Sequence, residues 1–215
     1  MDIICIDSDI HFYGAPWTGL DPRKTPTRPT RDPLGRIWDV SLWVNLGDVI
    51  EINNCLKDNL SDAIQAKQEY MQLVDVNVPG NHGLDIFKPN YVTRNIQELN
   101  IRFSHGHLGA LWDYEKGYKY ITKNKPGCGK LKYFFCKLLH FGRSLYKWKM
   151  TDKIRKRIID SHGGEDVLIF GHAHCKTMVD DLIFVNGKFC RIFVLEQGRS
   201  YFKVFNDEIE FLGKD

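Results

Sequence analysis

Asp, His, Asn and Glu gather at five points of this chain, each just after a short apolar run. In order they are Asp9-Ile10-His11, Gly47-Asp48-Val49-Ile50-Glu51, Gly80-Asn81-His82, Ser104-His105-Gly106-His107 and Gly171-His172-Ala173-His174. Asp9, His11, Asp48, Asn81, His105, His172 and His174 offer carboxylate, amide and imidazole donors, enough to hold two divalent cations around one shared carboxylate. Mixed oxygen and nitrogen ligation suits manganese, iron or zinc better than calcium or magnesium. Two such cations would polarise phosphoryl oxygens and lower the pKa of a water held between them, which points to hydrolysis of a phosphate ester. Singly, each piece is commonplace: Asp-x-His recurs by chance, Gly-Asn-His serves as a turn and Gly-Asp as a helix cap. Together they are distinguished by position, since all five follow the ends of predicted strands.

Those strands are read at Ile3 to Ile6, Leu42 to Leu46, Leu73 to Val78, Ile101 to Phe103 and Val167 to Phe170, continuous apolar or β-branched runs suited to burial on both faces of a sheet. Open α/β sheets place ligands at the carboxyl ends of their strands. Strand alternation predicts that Asp9 projects with His11, and His172 with His174. Gly47 and Gly80 allow the sharp turns that bring Asp48 and Asn81 over the sheet edge. Asp62 to Leu73 and Tyr91 to Leu99 read as helices. Leu182 to Asn186, Phe189 to Gln197, Tyr201 to Phe205 and Glu208 to Leu212 read as consecutive strands. The expectation is an α/β fold, a sandwich of mixed sheets flanked by helices, in one domain over residues 1–215.

Other residues near these points have roles to fill. His82 could stabilise a phosphoryl transition state as a cation, or protonate the departing oxygen. Glu51, three residues past Asp48, is its candidate partner. His107 reads equally as a support for the ligands and as a solvated loop histidine. Asp7 shares a strand face with Asp9 and reads as an outer ligand or a cap, and Cys175 as a packing residue.

Taken in order, these motifs resemble the calcineurin-like metallophosphoesterase superfamily, whose pattern is Asp-x-His, Gly-Asp-x-x-(Asp/Glu), Gly-Asn-His-(Asp/Glu), a lone His and Gly-His-x-His. The resemblance spans Asp9 to His174. It implies a metallophosphoesterase-type β-sandwich with two metal ions, one on Asp9, His11, Asp48 and His174, the other on Asp48, Asn81, His105 and His172. Asp48 would bridge, and His82 would be a non-ligand histidine beside the scissile phosphate. Gly83 departs from the pattern, which usually has an acid there; Asp85 is the nearby substitute. Ser8 and Pro79 stand where the protein Ser/Thr phosphatase branch carries Gly and Arg, so the fit is better to branches that cleave diesters or pyrophosphates.

Charge is unevenly spread. Between Lys116 and Asp160 fourteen Lys/Arg face only Asp152 and Asp160, a local +12 in a chain of net +3. Within this insertion, at about 111–157, Leu131, Phe134, Phe135, Leu138, Phe141, Leu145 and Trp148 fall at helical spacing on one face, with Lys130, Lys137, His140, Arg143, Ser144 and Lys147 on the other. Such a basic helical cap reads as a helix packed on the core or as an interfacial helix meeting anionic lipid through 130–150. Its placement and character are similar to those of the UDP-diacylglucosamine pyrophosphohydrolases of lipid A synthesis. That likeness implies an anionic amphipathic substrate such as a nucleotide-linked lipid. Nucleic acid, with Lys and Arg on its phosphates and Tyr118, Tyr120, Tyr133 or Trp148 stacked on bases, is the alternative, in a nuclease or nucleotide phosphodiesterase; a metal-binding scaffold without turnover is another. Residues 13–39, rich in Pro, Arg and Thr, form a connection of a length usually functional or mobile. Six scattered cysteines, no secretory signal in Met1 to Ile10 and no membrane-spanning run suggest a cytoplasmic protein, peripheral at most to the inner membrane face.

Overall fold

Alternation along β1 (Asp2–Ser8) sets the layering. Ile3 and Cys5 face one side and Ile4 and Ile6 the other, all buried. Against the first side lies α1 (Leu60–Leu73), which presents Ala63, Ala66 and Tyr70 at helical spacing. Its two alanines let the helix sit close on Ile3, Cys5, Trp43 and Tyr201. On the other side Ile4, Ile6 and Val44 meet Ile101, Phe103, Ile169 and Phe193 of a second sheet. The far face of that sheet, with Leu168, Phe170, Ile192 and Val194, is covered by Ile158 of α2 (Asp152–Asp160). The layers therefore run helix, sheet, sheet, helix. The structure is a computed structural model and describes residues 1–13, 27–31, 35, 39–53, 55–82, 90–111, 115, 118–119, 123, 125–135, 149–175 and 177–214, with backbone alone at 174 and 175.

Both sheets are mixed and five-stranded. In the first, β1 lies parallel to β2 (Leu42–Asn45), with Ile4 opposite Leu42, and β2 parallel to β3 (Val76–Asn77). The antiparallel strands β9 (Gly198–Phe205) and β10 (Glu208–Lys214) extend it beyond β1. In the second, β5 (Leu99–Ser104), β6 (Val167–Cys175) and β8 (Lys188–Glu196) run parallel. They are flanked by the antiparallel edge strands β4 (Tyr91–Ile96) and β7 (Val179–Val185). The α/β sandwich of mixed sheets with flanking helices is thus as expected.

Two elements differ from expectation. Residues 91–99 form not a helix but a hairpin, with Ile96 opposite Leu99 across a turn in which Gln97 takes φ 53°. Val92, Ile96 and Leu99 do fall at helical spacing. However, Val92 and Thr93 are β-branched, and pairing with β5 lets Val92 and Ile96 join the core between the sheets. The strand expected from Leu73 is short, because α1 runs through Leu73 and only Val76–Asn77 pairs with β2.

Of the basic insertion, residues 130–135 are helical, and α2 is capped by Thr151, whose hydroxyl accepts the Ile154 N–H at 3.3 Å. Leu138, Phe141, Leu145 and Trp148 lie outside the described residues, so the continuous apolar helix expected there is not on view. In the 13–39 connection, the Arg199 guanidinium donates to the Thr27 carbonyl and Arg28 pairs with Asp75 at 3.0 Å.

Candidate metal centre

The carboxyl ends of β1, β2, β3, β5 and β6 converge, and loop backbones knit them together. Asp9 N–H donates to the Gly47 carbonyl and His11 N–H to the Asp48 carbonyl, at 3.1 and 3.0 Å. Ile52 N–H reaches the His82 carbonyl at 3.2 Å. Asp9, His11, Asp48 and His172 all take positive φ, between 53° and 62°. That conformation disfavours non-glycine residues and concentrates at functional sites. Two glycines make the approach possible. A Cβ on Gly80 would run into the Asp48 carboxylate, and one on Gly47, itself at φ 96°, would lie 2.7 Å from His105 Nδ1.

Two clusters result. In the first, ligand atoms of Asp9, Asp48, His105 and His172 all lie within 4.8 Å of one another. His105 Nδ1 sits 2.9 Å from the Leu46 carbonyl and donates to it. In the neutral ring that bond puts the lone pair on Nε2, which lies 3.0 Å from Asp48 Oδ2, 2.9 Å from Asn81 Oδ1 and 3.1 Å from His172 Nδ1. Asp48 Oδ1 accepts the His82 backbone N–H at 2.8 Å, while Oδ2 faces His105 Nε2. With that ring neutral, acceptors face one another in a buried space, an arrangement balanced by a proton on His105 or by a bound cation.

The second cluster joins His11, Glu51 and His82. Glu51 Oε2 lies 2.7 Å from His82 Nδ1 and 3.1 Å from His11 Nδ1, and the two rings meet edge to face at 5.0 Å. One buried carboxylate therefore orients both histidines. Burial raises the Glu51 carboxyl, but His82 and His11 outweigh it and hold the group well below the usual carboxylate range. Burial likewise lowers His82, yet Glu51 and Asp48 lift it to about 9. His105 is raised in the same way, by Asp48 and Asp9 against its own burial. Burial also raises Asp48, but His105, His82 and His11 keep it far below its ordinary value.

Asp48, Asn81, His105 and His172, the set that the family resemblance gives to one ion, stand together, with Asp9 beside them. Strand alternation does not set the directions of Asp9 and His11. Both lie past the end of β1 at positive φ, so Asp9 turns to His105 and His172 while His11 turns to Glu51. His174 ends in β6 beyond a register shift between Phe170 and Cys175; its side chain, that of Cys175, and the Gly83 and Asp85 pair lie outside the described residues. His107 is buried, not solvated, with its ring 5.1 Å from that of His105. Its burial, aided by His105, drives its pKa down to about 3, so it packs as a neutral imidazole.

Asp7 has no part in the site. It accepts from Arg199, Trp43 and Tyr70 under α1. Sequence reasoning missed Asn53, whose amide holds the Asn81 carbonyl at 3.3 Å, and Ser8, whose hydroxyl donates to Asp9 Oδ2. It also missed the Leu46 carbonyl that orients His105. Ser8 adjoins a motif and could have been suspected; a backbone carbonyl leaves no trace in residue types.

No family model and no curated protein matches the chain. Among solved structures it is similar to a Vps29 from Entamoeba histolytica complexed with zinc, at 15% identity and TM-score 0.39, covering 96% of this chain and 88% of that one. It is similar too to a Thermotoga maritima protein solved in solution, at 11% identity and TM-score 0.43, covering 98% and 97%. A third is a conserved uncharacterized protein, described as a predicted phosphoesterase, from Streptococcus pneumoniae, at 12% and 0.41, covering 98% and 88%. Likeness at this level carries no argument about activity, which rests on the side chains of the two clusters.

Proposed function

We propose that the chain is a metallophosphoesterase of the calcineurin-like type, hydrolysing a phosphodiester or pyrophosphate bond. The observation that carries this reading is the gathering of Asp48 Oδ2, Asn81 Oδ1 and His172 Nδ1 within 3.1 Å of His105 Nε2, in a buried space beside Asp9. Asp48, Asn81, His105 and His172 would hold one divalent ion, and Asp9, His11, Asp48 and His174 a second; manganese is the first choice, iron or zinc the others. When bound, such ions supply Lewis acidity and an activated water.

The rest of the chemistry belongs to the chain. The Leu46 carbonyl keeps His105 in the tautomer whose Nε2 lone pair faces Asp48. His82, protonated at neutral pH beside Glu51, offers a fixed positive charge to a phosphoryl oxygen, or a proton to the departing one. Glu51 positions His82 and His11 at once. Neutral His107 fills the space behind His105 without adding charge.

For substrate we propose an anionic amphipathic molecule such as a nucleotide-linked lipid. Supporting this are the +12 segment between Lys116 and Asp160 and, at its start, exposed Leu131, Phe134 and Phe135 beside Lys130 and Lys132. A cytoplasmic protein with peripheral contact to the inner membrane face fits that chemistry. Among the described residues no helix is long and apolar enough to cross a membrane.

The test is cleavage of a simple aryl phosphodiester with manganese. Turnover that Asp48→Asn abolishes is the expected result. Full manganese occupancy without turnover on diester, pyrophosphate or nucleic acid would leave a metal-binding scaffold instead.

A further inference from the structure

At the end of the sandwich away from the metal centre the two sheets part and leave a groove of about 680 Å³. Its second-sheet wall carries Leu182 and Phe189, with Phe184 stacked edge to face on Phe189 at 5.1 Å; its first-sheet wall carries Phe205. All four are more than half exposed, Phe189 at 65%. The face of β7 and β8 that they occupy continues the face that meets the first sheet near Phe193, but the first sheet does not extend over it. A contiguous apolar surface of this kind, left open to water, marks an interaction site.

Its charges select the partner. Arg191 is taken up by Asp180 at 2.6 Å and Asp166 by Lys188 at 2.8 Å. Among the described lining residues this leaves Glu98, Asp207, Glu208 and Glu210 against Lys203. The groove is apolar and acidic, so its occupant is apolar and basic.

This chain carries such a segment. Leu131, Phe134 and Phe135 of helix 130–135 are exposed, Leu131 at 72%, and Lys130 and Lys132 beside them are exposed too. Within one chain the two surfaces stand at opposite ends of the sandwich. Helix 130–135 follows Cys128, which bridges to Leu56 on the loop leaving Glu51, at the carboxyl end of the strands. The groove is built from the first residues of β5, β6 and β10, about 20 Å away along the strands. We propose that the groove receives the 130–135 helix of a second copy of the chain. Such a contact is heterologous, so copies add head to tail and do not stop at a symmetric pair. It is independent of the metal-centre reading, and it competes with lipid for the same apolar face.

Sedimentation velocity over a concentration series, at low and high salt, tests this. Wild-type mass should rise about twofold or more with concentration at low salt and fall back when salt screens the lysine–carboxylate attraction. Phe184→Ser with Phe189→Ser disables the groove; Lys130→Glu with Lys132→Glu disables the helix. Each should sediment as a monomer, and a mixture of the two should stop at a dimer, since each retains one working surface. Unchanged melting temperature and manganese binding show that the variants fold. Should the serine pair not fold, Glu208→Lys with Glu210→Lys takes its place, and combining it with the helix variant should restore assembly. A wild type that stays monomeric throughout overturns the proposal, as does assembly that survives both variants. A monomer that binds anionic vesicles only through Lys130 and Lys132 also overturns it and assigns the face to lipid.

Discussion

Two buried carboxylates, Asp7 under α1 and Asp48 at the loop after β2, sit in environments of opposite logic. Around Asp7 every neighbour donates. Arg199 gives two hydrogen bonds at 2.7 and 3.0 Å, and Trp43 Nε1 and Tyr70 OH one each at 2.9 Å. Such a charge is neutralised by its own scaffold and serves the packing of α1 on the first sheet. Asp48 Oδ2 faces His105 Nε2, which also meets Asn81 Oδ1 and His172 Nδ1, so its partners are themselves candidate metal ligands. Residue type does not separate structural acids from working ones; what faces them does.

The largest effect that would sharpen this contrast is loss of turnover in Asp48→Asn. Diester cleavage should fall by about 10³-fold or more, as for loss of a group acting directly on developing charge. Manganese should raise the melting temperature of the wild type and leave that of the variant unmoved, which calorimetry reads without substrate. Asp7→Ala should do the reverse. Removing one partner of a buried ion pair costs about 3–5 kcal/mol in urea unfolding, while manganese affinity in the folded fraction persists. If Asp7→Ala instead abolished metal binding at full stability, the contrast would fail. Glu51→Gln should lower turnover by about 10- to 100-fold with the metals still bound, because it loosens His82 and His11 without removing a ligand.

The smallest effect concerns a second donor-satisfied acid, Glu165, paired with Arg102 and accepting the Gly163 N–H at 2.8 Å. Burial raises its carboxyl, but those backbone N–H groups and Arg102 hold it below its ordinary value. The folded pKa is therefore depressed, and the stabilisation is present above the unfolded value near about 4.3 and lost as pH falls below it. In Glu165→Gln the acid limb of the stability profile should flatten slightly between about pH 5 and 3, which urea midpoints in that range would register.

How much was legible beforehand follows from what each signal depends on. Short β-branched runs ending in Asp, Asn or His marked most of the strands that carry the centre, and Glu51 could be named only as a candidate partner of His82. Tyr91–Ile96 misled because helical spacing and strand composition coexist in one stretch, and only pairing with β5 decides between them. Alternation could not orient Asp9 and His11, because it ends with the strand and both residues follow it at positive φ.

By itself the sequence determined the α/β layering, the order of the ligand-bearing turns and the basic charge of the insertion, because these rest on local periodicity and composition. Only the tertiary structure decided that Asp7 is a packing acid, that Glu51 holds two histidines, that a Leu46 carbonyl sets the tautomer of His105, and that the two sheets part around an acidic apolar groove. Each of these depends on which groups from distant segments face one another, and on whether they donate or accept, and neither is written in the spacing of residues along the chain.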